Sequence, residues 1–296
     1  MKRIPVILDT DIGGDIADTW ALGMLVNCPE LDLRYVCAAT GDTRYRAKVA
    51  CKCLERVGRT DVAVGAGIRQ PMDPLAKTQA AWVEDYELRS YPGAYHEDGV
   101  DRMVHLIMDA KAPLTLIAIG PLPNLAAALE REPRIAGRCH FVGMHGSIRV
   151  PYEGQTQLAA EYNVVSDIPS ARKVFTAPWK SMTITPLDTC GRVRLKGDLY
   201  RKVLESAKPV PAGIIENYRI WRWVGDNIEK QSSILFDTVA VHLAYSRKYL
   251  TMQRMNVAVD DKGFTRERKR GALMQVAMDW TDLPAYENYL VRRLLA

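Results

Sequence analysis

The sequence has no apolar run approaching the ~18 residues of a membrane-spanning helix, so no membrane partner is expected. Neither sign of charge dominates. The chain carries 40 Lys and Arg against 35 Asp and Glu, a formal net charge of +5. The densest basic cluster, RERKR at Arg266–Arg270, follows Gly263 and reads as a solvated turn. No nucleic-acid partner is therefore expected. The six cysteines include no C-x-x-C pair, and Cys51 and Cys53 face different sides of an expected helix. Reduced thiols in a cytoplasmic protein are the expectation. The opening MKRIPVILDTD meets an aspartate at residue 9 and contains no apolar signal core. There is no internal repeat, low-complexity tract or clear linker. Residues 1–296 are read as a single domain.

The chain does have short apolar runs alternating with amphipathic ones. Ile4–Leu8, Leu33–Ala39, Leu114–Ile119, Phe141–Met144 and Ser181–Thr185 read as strands buried on both faces. Helical patterns lie between and after them, at Thr19–Val26, Thr43–Val57 behind a cap at Asp42, Gly99–Ala110, Pro123–Arg131 and Pro169–Phe175. Beyond residue 197 come Asp198–Ser206, Ala212–Glu229, Phe236–Ser246 and Leu283–Leu295, with weak strands near Met255–Val259 and Met274–Met278. Residues 76–98 are irregular and read as a long loop or lid. Such alternation predicts an α/β fold with a mostly parallel sheet flanked by helices. Ligands of such sheets bind outside the carboxyl ends of the strands.

The stretch LDTDIGGDIADTW, Leu8–Trp20, falls at such an end. Its aspartates are Asp9, Asp11, Asp15 and Asp18. Carboxylates crowded at a strand end repel one another, and a bound divalent cation is the usual compensation. Oxygen-only ligands suit a hard cation, calcium or magnesium. The alternative is a solvated glycine-rich turn with an aspartate capping the next helix. That accounts for one aspartate and leaves three.

DTDIGGDIAD, between a strand and an apolar helix, resembles the N-terminal motif of the inosine–uridine nucleoside hydrolases, in its DTDIGxDIDD form. TLIAIGPLPNLAAAL (Thr115–Leu129) is similar to the family's strand, glycine and helix. VGMHGS and AAEYNVVSDIPSARKVF (Val142–Phe175) resemble its MGG and AEFN blocks, and ILFDTVAVHLA (Ile234–Ala244) its HDPLAV helix start. The resemblance implies an open, Rossmann-like sheet with C-terminal helices over the strand ends. It implies a calcium ion (Ca2+) and cleavage of the N-glycosidic bond of a ribonucleoside by water. Asp11 would bind the ion and act as general base. Asp18, Asp237 and the carbonyl of Ile119 would complete the ligands, with Asp9 in support. Glu161 and Asn163 match residues that hold ribose hydroxyls, and Met144 one that packs beside the sugar. Family members commonly form homodimers or homotetramers, and the same is expected here.

The pattern also departs from the family. Ala17 replaces an aspartate that contacts ribose, and Asp15 is the candidate to reach the same space. Phe236 stands where many members carry a histidine read as the acid for a purine leaving group, which phenylalanine cannot be. Asp42 and Gln155 occupy positions where asparagine is usual. His145 replaces a glycine and is either a substitute acid, a ligand contact or a core histidine; His96, in the expected lid, is a second candidate acid. Trp223, with Trp221 and Arg222, is a candidate base-stacking wall, although helical spacing favours core packing for at least one tryptophan. Two other readings stand beside the hydrolase. One is a ribosyl-binding protein without turnover, motivated by Ala17 and Phe236. The other is a haloacid-dehalogenase-like phosphatase with Asp9 as nucleophile, for which no later lysine and carboxylate pair stands in a convincing context.

Overall fold

The computed structural model describes residues 3–221 and 228–296. A ten-stranded sheet runs through the molecule. Its strands are β1 (Ile4–Thr10), β2 (Leu31–Ala38), β3 (Ala63–Ala66), β4 (Tyr95–His96), β5 (Leu114–Ala118), β6 (Cys139–Met144), β7 (Ser181–Thr185), β8 (Leu250–Val259), β9 (Thr265–Glu267) and β10 (Ala272–Trp280). The order is β4-β3-β2-β1-β5-β6-β7-β10-β8-β9. Pairing is parallel from β4 through to β10, and antiparallel between β10 and β8 and between β8 and β9. The five expected strands are all present within two residues of their expected ends. The short β3, β4 and β9 went unanticipated, because two to four residues are too few for a period to show.

Alternation along β1 divides the core in two. Val6 and Leu8 point to one face and Ile7 to the other, and none of the three is exposed. Burial of each such side chain contributes about 2 kcal/mol. The first face packs against α1 (Ala17–Val26) and α2 (Thr43–Arg56); the second packs against α3 (Gly99–Asp109), α4 (Pro123–Arg131) and, past the four-residue α5 (Tyr162–Val165), α6 (Ile168–Thr176). The short α7 (Leu187–Cys190) leads into the C-terminal helices α8 (Gly197–Leu204), α9 (Pro209–Ile220), α10 (Thr238–Leu243) and α11 (Leu283–Leu294). Helices α9, α10 and α11 close over α1, which is therefore buried nearly all round: Trp20 sits between the rings of Tyr200 and Tyr218.

Two helices differ from expectation. The C-terminal pattern starts earlier, at Pro209, where proline is pre-organised for a first turn. The run from Phe236 to Ser246 yields only the six residues of α10. Residues 76–98 contain two short 3-10 turns and β4, with a further 3-10 turn at Pro74–Ala76. The RERKR cluster lies on β9 and the turn after it, at the sheet edge. All six cysteines are free thiols. No helix among the described residues is long and apolar enough to cross a membrane.

From β1 the chain builds outward through β2, β3 and β4; from β5 it builds the other way through β6 and β7. The reversal falls between β1 and β5, and a crevice opens at the carboxyl ends of strands there. Asp11 follows β1 and Ile119 follows β5.

Candidate active site

A cavity of about 280 Å³ occupies this crevice. Its lining includes Asp11, Asp15, Asp18, Ile119, Met144, Glu161, Asn163, Phe236 and Asp237. Nine of the thirteen candidate site residues thus meet in one place, from the ends of β1, β5 and β6 and the starts of α1, α5 and α10.

Backbone close approach holds the first wall together. Gly13 adopts φ +102°, a left-handed conformation natural to glycine, and lies against the Tyr45 ring. A Cβ on Gly120 would stand 2.8 Å from both the backbone nitrogen and a carboxylate oxygen of Asp11. Only glycine lets β5 bring Ile119 this close to the end of β1. Asn124 at the start of α4 donates to Asp9 Oδ2 at 2.7 Å and to the Ala38 carbonyl at 3.1 Å, while its own oxygen accepts from Ile68 N at 2.7 Å. Asp9 supports the wall from behind: it is fully buried and does not line the cavity.

The aspartates divide by role. Asp15 Oδ1 accepts the backbone N–H of Ala17 at 2.8 Å, fixing the turn before α1, whose N-cap position is held by Ile16 without a side-chain bond. Asp18 accepts from the Thr10 hydroxyl. Asp237 stands at the N-cap position of α10 without a side-chain capping bond, so its carboxylate is not spent on the helix. Glu161 accepts from Gly146 N at 2.9 Å and Asn163 N at 2.8 Å. Asn163 donates to the carbonyls of Ile119 at 3.1 Å and Met144 at 3.0 Å, tying β5 to β6 across the floor.

Burial dominates the electrostatics. It pushes the carboxyls of Asp18 and Asp237 well above their ordinary range, and Asp11 adds repulsion to both. Glu161 is pushed up to about 7 by burial, against the pull of its backbone donors. Asp15 rises to about 6, again through burial first. Asp11 is also raised by burial, opposed by the buried Arg46 guanidinium, whose Nη2 lies 3.7 Å from Asp11 Oδ2. Such crowding of desolvated carboxyls is unfavourable on its own and becomes favourable with a cation among them. Among the described residues, no three His, Cys, Asp or Glu side chains form a group able to hold a metal ion as they stand. The donor chemistry nonetheless suits a hard cation: the candidate ligands offer only carboxylate and carbonyl oxygen.

Of the other four, Asp42, His145 and Gln155 fall elsewhere. His145 is fully buried, with Nε2 3.1 Å from the Gly120 carbonyl and its ring against Phe141 and Phe175. Burial lowers its pKa to about 4, so it is a neutral core histidine. Asp42 caps α2 through Tyr45 N and pairs with Lys77 at 2.5 Å, outside the cavity. Gln155 is exposed on a loop away from the cavity, and Trp223 lies outside the described residues, as does Arg222. His96 sits on β4 against the Tyr35 ring and does not reach the cavity. Trp221 is core: it is buried, donates to the Gly14 carbonyl at 3.0 Å and packs on Tyr218.

Sequence reading missed Arg46, Tyr152 and Tyr162, which also line the cavity. Arg46 was hidden in the polar helix TRYRAKVACKCLER, where an arginine reads as solvent-facing. Inside the fold it donates to the carbonyls of Thr40 at 2.9 Å and Ile12 at 3.1 Å.

Together these features define an open α/β protein with a carboxylate-bearing cavity at its topological switch point. Residues 6–288 match the family described as inosine-uridine preferring nucleoside hydrolase, and the chain belongs to that family. It is 28% identical over 217 residues to the pyrimidine-specific ribonucleoside hydrolase RihA of Photobacterium profundum, covering 70% of this chain and 67% of that protein. It is 28% identical over 205 residues to the non-specific ribonucleoside hydrolase RihC of Klebsiella pneumoniae, covering 66% and 65%. The chain thus spans about two thirds of the length of the curated relatives it matches. Its fold is that of the plant nucleoside hydrolase PpNRh1, with a TM-score of 0.85 at 20% identity over the whole of both chains.

Proposed function

We propose that the protein is a calcium-dependent N-glycosyl hydrolase acting on a ribonucleoside or related N-ribosyl compound. The observation that carries this reading is the convergence of Asp11, Asp18 and Asp237 from three separate elements on one cavity, beside Glu161 and Asn163. Asp11, Asp18, Asp237 and the Ile119 carbonyl would hold the ion. Calcium bound there would supply positive charge that orients hydroxyls and lowers the pKa of a nearby water. Asp11 takes the proton of the attacking water, as a carboxylate kept available by Arg46. The acidic walls stabilise the positive charge that develops on the ribose as the base departs. Glu161 accepts from sugar hydroxyls, held in position by the two backbone N–H groups behind it. Asp15 stands on the same wall, in place of the missing carboxylate at Ala17. Met144 packs beside the sugar, and Phe236 presents an apolar face to the leaving base.

The chain would act as one domain, in the cytoplasm, as a homodimer or homotetramer. Phe236 favours one second reading, a ribosyl-binding protein without turnover, because it removes the usual acid. The family match displaces the phosphatase reading. Asp11→Asn separates the remaining two. The hydrolase loses at least about 10³-fold in kcat while nucleoside binding by calorimetry persists. Unchanged turnover in that variant would remove Asp11 from the chemistry.

A further inference from the structure

Phe236 leaves the departing base without a proton donor at the usual place, and the cavity contains another. We propose that the hydroxyl of Tyr152 is the hydrogen-bond donor that activates the leaving nucleobase. The assignment rests on the hydrolase reading above.

Tyr152 lines the cavity, with its ring 6.3 Å from that of Phe236 in an edge-on contact. Its hydroxyl oxygen accepts the backbone N–H of Tyr162 at 3.0 Å. That bond occupies a lone pair and leaves the hydroxyl proton free; among the described residues no acceptor takes it. The buried lining donors Arg46 and Asn163 are committed. Arg46 serves Thr40, Ile12 and Asp11, and Asn163 serves Ile119 and Met144. Tyr162 is over half exposed and so open to solvent. Burial raises the Tyr152 phenol above its ordinary range, so it stays protonated at working pH.

The loop that carries Tyr152 is fixed at both ends of its turn. Both oxygens of Asp188 accept backbone N–H groups, from Ile148 at 2.9 Å and Arg149 at 2.8 Å. Thr265 brackets Ser147, accepting from its N–H at 2.9 Å and donating to its carbonyl at 3.0 Å. Glu153, the next residue after Tyr152, pairs with Arg194. A donor held by so many anchors is pre-organised, which is where hydrogen bonding to a developing charge is most effective.

In the step assigned, the bond from C1′ to the base nitrogen breaks and its electron pair stays with the base. Tyr152 donates its hydrogen bond to a ring nitrogen or carbonyl oxygen conjugated with that nitrogen. Water adds its oxygen to C1′ and gives its proton to Asp11, which returns it to solvent; the released base takes one proton from solvent.

The test compares two leaving groups in the wild type and Tyr152→Phe. Natural nucleosides leave poorly without a donor, whereas the nitrophenolate of p-nitrophenyl ribofuranoside needs none. The expected result is a loss of about 10²-fold in kcat on the best nucleoside, with nitrophenyl riboside turnover held within about threefold. Retained nitrophenyl turnover also shows that the variant folds. Equal losses on both substrates would make Tyr152 a structural residue and overturn the assignment, as would no loss on either. Wild-type cleavage of the nitrophenyl riboside alone would overturn it too, since no base would then be activated. Wild-type cleavage of neither substrate would instead refute the hydrolase reading, and this assignment with it.

Discussion

Asp9 offers a direct test of the site's electrostatics. Its carboxyl is fully buried, with Oδ2 bonded to Asn124 and Oδ1 without a partner. Burial, aided by the Asp11 charge, raises its pKa from 3.8 to about 7. A carboxyl whose folded pKa lies above its unfolded value destabilises the fold progressively as pH rises between the two. The penalty is absent below 3.8 and complete above about 7. At 1.36 kcal/mol per pH unit it amounts to about 2 kcal/mol at pH 5 and about 4 kcal/mol at pH 8. Asp9→Asn removes it at both pH values and places an amide donor where Oδ1 lacks a partner, at a cost of about 1–3 kcal/mol. The variant is therefore expected to match the wild type near pH 5 and exceed it by about 1–3 kcal/mol at pH 8. The assay is urea unfolding in chelator at both pH values. A pH-independent difference between variant and wild type would refute the reasoning, because the penalty of ionising Asp9 would not exist.

The raised carboxyls of Asp11, Asp18 and Asp237 follow the same sign, so chelated protein loses stability as pH climbs and a bound cation offsets that loss. The rise in melting temperature on adding calcium should therefore be larger at pH 8 than at pH 5; an equal rise would speak against these ligands. Gln155→Ala should leave kcat/KM on any nucleoside within about twofold, since Gln155 is exposed away from the cavity; a larger loss in steady-state kinetics would place it at the site.

Much of the fold was legible because parallel strands buried on both faces leave near-continuous apolar runs, as in IPVIL and LTLIA. The acidic wall was legible for a related reason: charge at the end of such a run needs an explanation. Asp42, Gln155 and His145 misled because motif position gives a place along the chain and not the direction of a side chain. Asp42 turns to cap its own helix, and His145 turns back from β6 into the core. Arg46 and Tyr152 were illegible for the opposite reason. Their contacts with Asp11 and Phe236 join segments 35 and 84 residues apart along the chain, and nothing local announces them.

The central claim is that the carboxylates of this cavity serve calcium-dependent release of a base from ribose. The measurement that tests it most directly is reducing-sugar release from a panel of purine and pyrimidine nucleosides, with calcium and after exhaustive chelation. The account predicts release that disappears on chelation and returns when calcium is restored. Release that persists unchanged in chelator, or none from any nucleoside while calcium remains bound, would contradict it.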